Sequence, residues 1–303
     1  MEHFQEPYND GNRDGDESPD ASLSLGGVPS AEVALKILEE SKFLQQLDQF
    51  VILTDLTFGL CNSLWNILDH EYPDIRKTAS PEDGILELRM PSWTHDSVVT
   101  WLAKCVIDWA LRGQLTPNEV EDLWILSSPV VNLPNPVPNP PRAPRRNLKK
   151  EPDTGLISYR APSSGFDSQG KKLSPVPSIL FEAGFSQSYE SLKENARRVL
   201  LGGAPTVRLV VLVKHFKQAH KRVKTKIEFW RLNRQGVAQK DEERYIFPVP
   251  NVPQLPLCVT REDVFGSAFI LDGQNPHDLL EFNLNKFRVV AARTLDHQGL
   301  RPM

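Results

Sequence analysis

Apolar residues recur along the chain with two different periods, and together these periods predict a mixture of helices and strands. Helical spacing covers about 31–47, 56–68, 95–112, 117–126, 189–201 and 279–295. Strand-like runs cover 85–90, 155–159, 178–183, 206–213 and 226–232, and the last two resemble a hairpin. The order of these elements predicts a mixed α/β fold.

Local signals predict where several of these elements begin or end. Ser30 can cap the first helix, and Thr116-Pro117-Asn118-Glu119 has the form of a capping box with proline at the first helical position. Glu82-Asp83-Gly84 is typical of a turn before the strand at 85–90. These capping and turn signals predict the ends of individual helices and strands.

Composition suggests how these segments are organised. Residues 1–29 are rich in Asp, Glu, Gly, Asn and Ser, so we expect a disordered acidic tail. We expect an N-terminal helical region over 30–78, an α/β core over 79–240 and a C-terminal extension over 241–303 that ends in a helix. The core contains a proline-rich insertion at 131–150.

Cysteine use and hydropathy bear on the compartment. Cys61, Cys105 and Cys258 are the three cysteines and show no CxxC spacing, which argues against a disulfide framework or a zinc knuckle. The acidic N-terminus has no apolar segment typical of a secretory signal, and Phe50–Leu68 is too polar for a membrane span. We therefore predict an intracellular protein, nuclear or cytoplasmic, without a membrane partner.

Charge is distributed unevenly, although the formal net charge is only −4. The first twenty residues carry seven acids, and two segments are basic. The first basic segment fits phosphate binding, nuclear import or a solvated linker, and contains Arg142, Arg145, Arg146, Lys149 and Lys150. The second fits a nucleic-acid backbone or a charged edge that prevents sheet pairing, and contains Lys214, Lys217, Lys221, Arg222, Lys224 and Lys226.

Two acidic residues are candidates for chemistry. Asp153 precedes one predicted strand, and Glu182 ends an apolar one. Carboxylates at the ends of neighbouring strands can hold Mg²⁺ or Mn²⁺. The alternatives are a turn residue for Asp153 and a strand-end carboxylate paired with a base for Glu182. Lys193, on the following helix, could orient an attacking water or lie on a solvated face.

Other motifs reinforce this pattern. Asp83-Gly84-Ile85-Leu86 is followed by Pro91 and by His95, which either lines the site or neighbours a helix cap. Pro152-Asp153 and the strand leading to Glu182 come next, with serines at 186 and 188. In this order the residues resemble the PD-(D/E)XK nuclease superfamily, its putative restriction-endonuclease branch and that branch's fungal relatives, over about 80–235. The resemblance implies a restriction-endonuclease-like mixed sheet flanked by helices.

The resemblance also implies roles for individual residues. Asp153 and Glu182 would hold the metal, with the carbonyl of Ala183 as a third ligand. The superfamily's lysine would stand at Gly184, so Lys193 is the candidate replacement. The implied activity is Mg²⁺- or Mn²⁺-dependent hydrolysis of a nucleic acid, with DNA favoured. The alternatives are a catalytically inactive nuclease-fold protein that binds nucleic acid or a protein, and a structural α/β protein with the two acids far apart or locked in salt bridges.

Overall fold

The mixed α/β class is confirmed by the computed structural model. The described residues form seven helices and three sheets. The structure describes residues 20–45, 49–90, 93–134, 147–159, 176–267 and 270–303. None of the helices in these ranges is long and apolar enough to cross a bilayer.

The helices lie close to the predicted positions. Ser30 caps the first one, because its hydroxyl accepts a hydrogen bond from the backbone N–H of Val33 at 3.4 Å. The capping box at Thr116 and Glu119 is also confirmed. The helices are α1 (Ala31–Glu40), α2 (Phe58–Glu71), α3 (Trp93–Leu111), α4 (Pro117–Asp122), α5 (Tyr189–Gly203), α6 (Arg261–Phe265) and α7 (Leu284–His297).

The strands form a first sheet, which we call the N-terminal sheet, a second, which we call the central sheet, and a small pair. The N-terminal sheet has the order β1 (Ala21–Ser24), β2 (Phe50–Thr54), β4 (Ile85–Arg89), β3 (Arg76–Ser80), β7 (Asn147–Lys150) and β6 (Val131–Pro134). The central sheet has the order β12 (Ala238–Phe247), β11 (Arg222–Leu232), β10 (Leu209–Lys217), β9 (Ile179–Gly184), β8 (Thr154–Ser158) and β5 (Leu123–Ser127), with β15 (Arg301–Pro302) beside β11. The small pair is β13 (Leu257–Thr260) and β14 (Leu279–Phe282).

The buried strand β9 lies inside the central sheet, between β10 and β8, and its two faces pack against different partners. Phe181 faces the core formed with α3 and α7, where it contacts Trp101 edge-on at a centroid distance of 6.3 Å. Leu180 faces the opposite way and packs with Leu192 of α5. Because successive strand residues point to opposite faces, Glu182 shares the face of Leu180. The acid therefore points towards α5 and the N-terminal sheet.

The N-terminal sheet has its own core, built with α1 and α2. Leu53, Leu86 and Leu88 on its strands are fully buried against the two helices. Gly84 supplies the left-handed backbone of the turn before β4, with φ of 66°. A Cβ at this position would lie 2.6 Å from the carbonyl oxygen of Leu56, so glycine is required there.

The prediction of a helical region over 30–78 was incomplete, since the segment also contains β2 and β3. The helix predicted over 56–68 is present as α2, but the apolar residues just before it form β2, because a short apolar run does not distinguish a buried strand from a helix. Likewise, the helix predicted over 117–126 ends at Asp122 and continues as β5, and the one predicted over 279–295 begins as β14.

Two segments predicted to be irregular contribute strands at their ends. Strand β1 lies inside the predicted acidic tail, and residues 1–19 of that tail lie outside the described residues. The proline-rich insertion begins with β6 and ends with β7, while residues 135–146 lie outside the described ranges. These strands complete the N-terminal sheet, so their positions depend on contacts that are distant in sequence.

Candidate functional site

The two acids selected from the sequence meet in the folded chain. Strands β8 and β9 are antiparallel neighbours in which Thr154 pairs with Phe181. Asp153 precedes Thr154 and Glu182 follows Phe181, so the register brings the two acids face to face. Both are buried, with 3% and 1% of their surfaces exposed. Their convergence is the arrangement that the proposed metal site requires.

A single arginine bridges the two acids. Arg89 Nη2 donates to Asp153 Oδ1 at 2.7 Å, and Arg89 Nη1 donates to Glu182 Oε2 at 3.3 Å. The same Nη1 also donates to the carbonyl oxygen of Ala183 at 3.2 Å. The guanidinium therefore contacts all three groups that the nuclease resemblance assigns to the metal.

A lysine completes the arrangement. Lys150 Nζ lies 3.1 Å from Glu182 Oε1 and donates to Thr78 Oγ1 at 3.2 Å. Its contact with Glu182 is an ion pair, and Glu182 Oε1 accepts no hydrogen bond within the described residues. We call Arg89, Lys150, Asp153 and Glu182 the buried ion cluster. Its formal charges sum to zero.

The buried ion cluster joins the two large sheets. Arg89 and Lys150 lie on β4 and β7 of the N-terminal sheet, whereas Asp153 and Glu182 belong to the central sheet. The chain passes from β7 to β8 through residues 151–153, at the cluster itself. Glu151, in this crossing, forms an ion pair with the buried Lys77 at 3.2 Å. Cations from one sheet thus neutralise acids of the other.

Electrostatics favour the charged form of the arginine. Burial acts to lower the pKa of Arg89, but the charges of Asp153 and Glu182 outweigh burial and raise the pKa above its usual value. Burial also raises the pKa of Glu151. Removing charges from water is costly unless partners of opposite charge compensate for it. Here each charge has an ion-pair partner, although Arg89 Nε and Glu182 Oε1 make no hydrogen bond within the described residues.

Whether the site fits a divalent cation depends on which carboxylate oxygens are free. Asp153 Oδ1 accepts from Arg89, and Oδ2 accepts from the backbone N–H of Ala183 at 2.6 Å. Glu182 Oε2 accepts from Arg89, and Oε1 faces Lys150. Mg²⁺ needs carboxylate oxygens together with several waters in octahedral geometry. In this arrangement the ion would have to displace two cations, so the donor set does not fit it.

The predicted lysine lies away from the acids. Lys193 Nζ forms an ion pair with Glu190 and lies 4.3 Å from the ring centroid of Tyr189. Arg197 pairs with Glu194 at 3.5 Å in the same helix. Within the described residues, neither base has a contact with Asp153 or Glu182. The structure therefore brings together two of the three predicted catalytic residues.

Of the basic hairpin residues, two are structural. Lys214 is 3% exposed and donates to the carbonyl oxygen of Gln187 at 2.6 Å. Lys226 is 5% exposed and lies 3.1 Å from Glu228 Oε1. The prediction that these two lysines contact nucleic acid is corrected, because neither ammonium group is accessible. Lys150, from the other basic segment, is likewise buried, and residues 142–146 lie outside the described ranges.

The end of the β10–β11 hairpin carries exposed basic residues, in contrast to the buried Lys214 and Lys226. We call its turn, residues 217–222, the hairpin tip. Lys217, Lys221 and Arg222 are exposed there, and within the described part of the chain no carboxylate pairs with them. Lys217 Nζ lies 4.6 Å from the ring centroid of Phe185. Arg301 of β15 is also exposed and pairs in register with Arg222, so positive charge accumulates at this end of the sheet.

The turn in the hairpin tip has an unusual backbone. His220 and Lys221 adopt φ values of 58° and 61°, and the backbone N–H of Arg222 donates to the carbonyl oxygen of Ala219. Hairpin turns with two positive φ values usually contain Asn or Gly, because a side chain with a Cβ is strained there. The chain carries two basic side chains at these strained positions. Such strain persists only where the surrounding structure imposes it.

The sequence did not reveal Arg89 or Lys150 as members of the site. The alternation of β4 predicted a half-buried strand with charged residues facing solvent, yet Glu87 and Arg89 are 7% and 6% exposed. The available signal was indirect, since two converging buried acids require a cation. His95, the other predicted site residue, is buried in α3.

Comparisons with known proteins leave the family open. No protein-family model matches the chain, and the curated proteins include none with significant sequence similarity. The resemblance to PD-(D/E)XK nucleases therefore stays a prediction based on the motifs and their order.

Proposed function

We propose that the chain is a catalytically inactive, restriction-endonuclease-like protein that binds nucleic-acid backbones through the hairpin tip. The observation that carries this proposal is the position of Arg89. Its guanidinium contacts Asp153, Glu182 and the carbonyl of Ala183, the three groups that would otherwise hold the metal. An internal cation in place of a dissociable one favours a role without hydrolysis. Acids locked in salt bridges also match the structural α/β alternative, and the exposed bases of the hairpin tip are what favour a binding role over that alternative.

The chemistry of the site supports the inactive alternative over the nuclease. Hydrolysis of a phosphodiester requires a group that activates water and stabilises charge on the phosphorus. The two acids are neutralised by Arg89 and Lys150, and they are too deeply buried for a phosphate to reach. Lys193, the candidate for orienting water, contacts Glu190 instead.

The hairpin tip supports a role in binding. Exposed bases without carboxylate partners are the groups that neutralise phosphates and release counterions. Lys217, Lys221 and Arg222 meet this description, and Arg301 lies beside them. Within the hairpin tip, Gln218 is the one carboxamide that could read a base edge, so binding should depend on salt more than on sequence.

The test is a paired assay of cleavage and binding on the full-length protein. Supercoiled plasmid and single-stranded DNA are incubated with Mg²⁺ or Mn²⁺, and retention of labelled DNA is measured over a range of salt concentrations. We expect no cleavage and salt-sensitive retention. Metal-dependent cutting that disappears in Glu182→Gln would overturn the proposal in favour of the nuclease, and absence of retention at low salt would remove the binding role.

A further inference from the structure

The N-terminal end of the described chain is anchored beside the helix that follows β9. Asp20 Oδ1 accepts a hydrogen bond from the backbone N–H of Ser188 at 2.6 Å, and Asp20 Oδ2 accepts one from the Ser188 hydroxyl at 2.8 Å. Ser188 is the N-cap of α5 and lies 168 positions further along the chain. Strand β1 begins directly after Asp20 and pairs with β2. The position of residue 20 is thus fixed from both sides.

This anchor lies next to the hairpin tip. The loop between β9 and α5 contains Phe185, Gln187 and Ser188. Lys217 lies over the ring of Phe185, and Lys214, on the same strand, donates to the carbonyl oxygen of Gln187. One short loop therefore contacts both the end of the acidic segment and the basic hairpin.

The charges of the two regions are complementary. Residues 1–19 contain a single arginine and no lysine, and their six acids are Glu2, Glu6, Asp10, Asp14, Asp16 and Glu17. An extended chain spans about 3.3–3.6 Å per residue, so acids within ten residues of Asp20 reach up to about 35 Å from it. A tethered segment experiences an effective concentration near the millimolar range, so docking requires contacts worth about 4 kcal/mol, which four ion pairs of about 1 kcal/mol each would supply.

We propose that residues 1–19 dock on the hairpin tip and compete there with polyanions. The partner of this basic surface is then part of the same chain, held in place by the bond between Asp20 and Ser188. The docking stands on the anchor and on charge, whereas the competition with nucleic acid rests on the proposed function.

Zero-length carbodiimide cross-linking of the full-length protein tests the docking. At low salt we expect cross-links from Asp14, Asp16 or Glu17 to Lys217 or Lys221, identified by mass spectrometry. These cross-links should disappear in about 1 M salt, where the Debye length falls to about 3 Å. Two exposed lysines far from the tip in sequence, Lys36 and Lys104, serve as controls. Absence of the expected cross-links, or equal cross-linking to the control lysines, would overturn the docking.

A full-length variant with all six acids of residues 1–19 changed to their amides tests the competition. We expect its affinity for single-stranded DNA at low salt to rise by about tenfold, the factor that corresponds to a segment docked in about nine of ten molecules. Equal affinity of variant and parent would overturn the competition. If neither protein binds DNA while the cross-links form, the proposed nucleic-acid binding fails and the docking stands.

Discussion

The buried ion cluster and the hairpin tip contain the same kinds of cation and differ in what surrounds them. In the cluster, Arg89 and Lys150 are at most 6% exposed, and each faces a carboxylate. In the hairpin tip, Lys217 and Lys221 are exposed, and the described residues offer them no carboxylate. A buried charge depends on its partner, because loss of that partner destabilises the fold, whereas an unmatched, exposed charge is accessible to another molecule. Residue type alone does not distinguish the two.

The largest effect on stability should come from a substitution in the buried ion cluster. Arg89→Met leaves Asp153 and Glu182 without their shared cation in a dry site. We expect the free energy of unfolding to fall by about 3–5 kcal/mol, as measured by urea denaturation. The control is Arg198→Met, since the side chain of Arg198 is 36% exposed where it pairs with Glu87. That change should lower stability by at most about 1 kcal/mol, and equal losses would contradict the assignment.

The pH dependence of stability extends the comparison to the two histidines of the β10–β11 hairpin. Burial, with smaller contributions from His95 and Lys214, lowers the pKa of His215 to about 3. Its unfolded value is near 6.5. Between these values the unfolded state binds the proton and the folded state does not. Stability should therefore fall as pH decreases from about 6.5 towards 3, by up to about 1.4 kcal/mol per pH unit.

Urea denaturation between pH 7 and pH 4 measures this dependence. His215→Gln should make the decrease in stability less steep, because the titrating group is gone. His220→Gln makes the same chemical change at the exposed turn and serves as the control for the substitution itself. A slope unaffected by His215→Gln would show that other groups account for the acid sensitivity.

Ser188 is intermediate in burial between the buried ion cluster and the hairpin tip, and its hydroxyl both donates and accepts a hydrogen bond. Its hydroxyl accepts from the backbone N–H of Ser191 at 3.2 Å and donates to Asp20. Ser188→Ala removes both bonds, and we expect a loss of about 1 kcal/mol in thermal or urea denaturation. Ser188→Thr keeps the hydroxyl and should retain most of the stability. If both variants lost the same stability, the Ser188 hydroxyl would not account for the loss.

Substitutions at the exposed hairpin tip should have the smallest effect on stability and a clear effect on DNA binding. Changing Lys217, Lys221 and Arg222 to alanine should alter the free energy of unfolding by no more than about 0.5 kcal/mol per site. The slope of log affinity for DNA against log salt should fall by about 2–3. A matched triple change at exposed Lys36, Lys104 and Arg234 should leave that slope unchanged. Equal effects of the two triples would mean that the tip is not the binding surface.

The sequence was informative where a local pattern determines the structure. An apolar run leading to Glu182, followed by a capped helix, was sufficient to predict β9 and α5. The order of acid, strand and helix also predicted that Asp153 and Glu182 converge. Strand β8 needed only a short apolar run after Asp153. These features depend on neighbours within a few residues or on adjacent strands.

The cations of the cluster could not be predicted in the same way. Arg89 is 64 positions from Asp153 and 93 from Glu182, and it lies on a strand whose alternation indicates a solvated face. That face is covered by α5, whose Asn195 and Arg198 contact Glu87, and by the acids at the ends of β8 and β9, and no local pattern encodes this packing. The burial of Lys214 has the same explanation, since its partner carbonyl lies in the loop before α5, and Lys226 pairs with Glu243 of β12 as well as with Glu228 of its own strand.

The crossing of the chain between the sheets at residues 151–153 constrains how the molecule can be dissected. A cut there would separate Arg89 and Lys150 from Asp153 and Glu182, and it would also remove β5 from the central sheet, because β5 precedes the crossing. Each fragment would then hold buried charges without their counterions. We therefore expect the two sheets to melt in a single cooperative transition, and fragments cut at this crossing to be insoluble unless they are produced together.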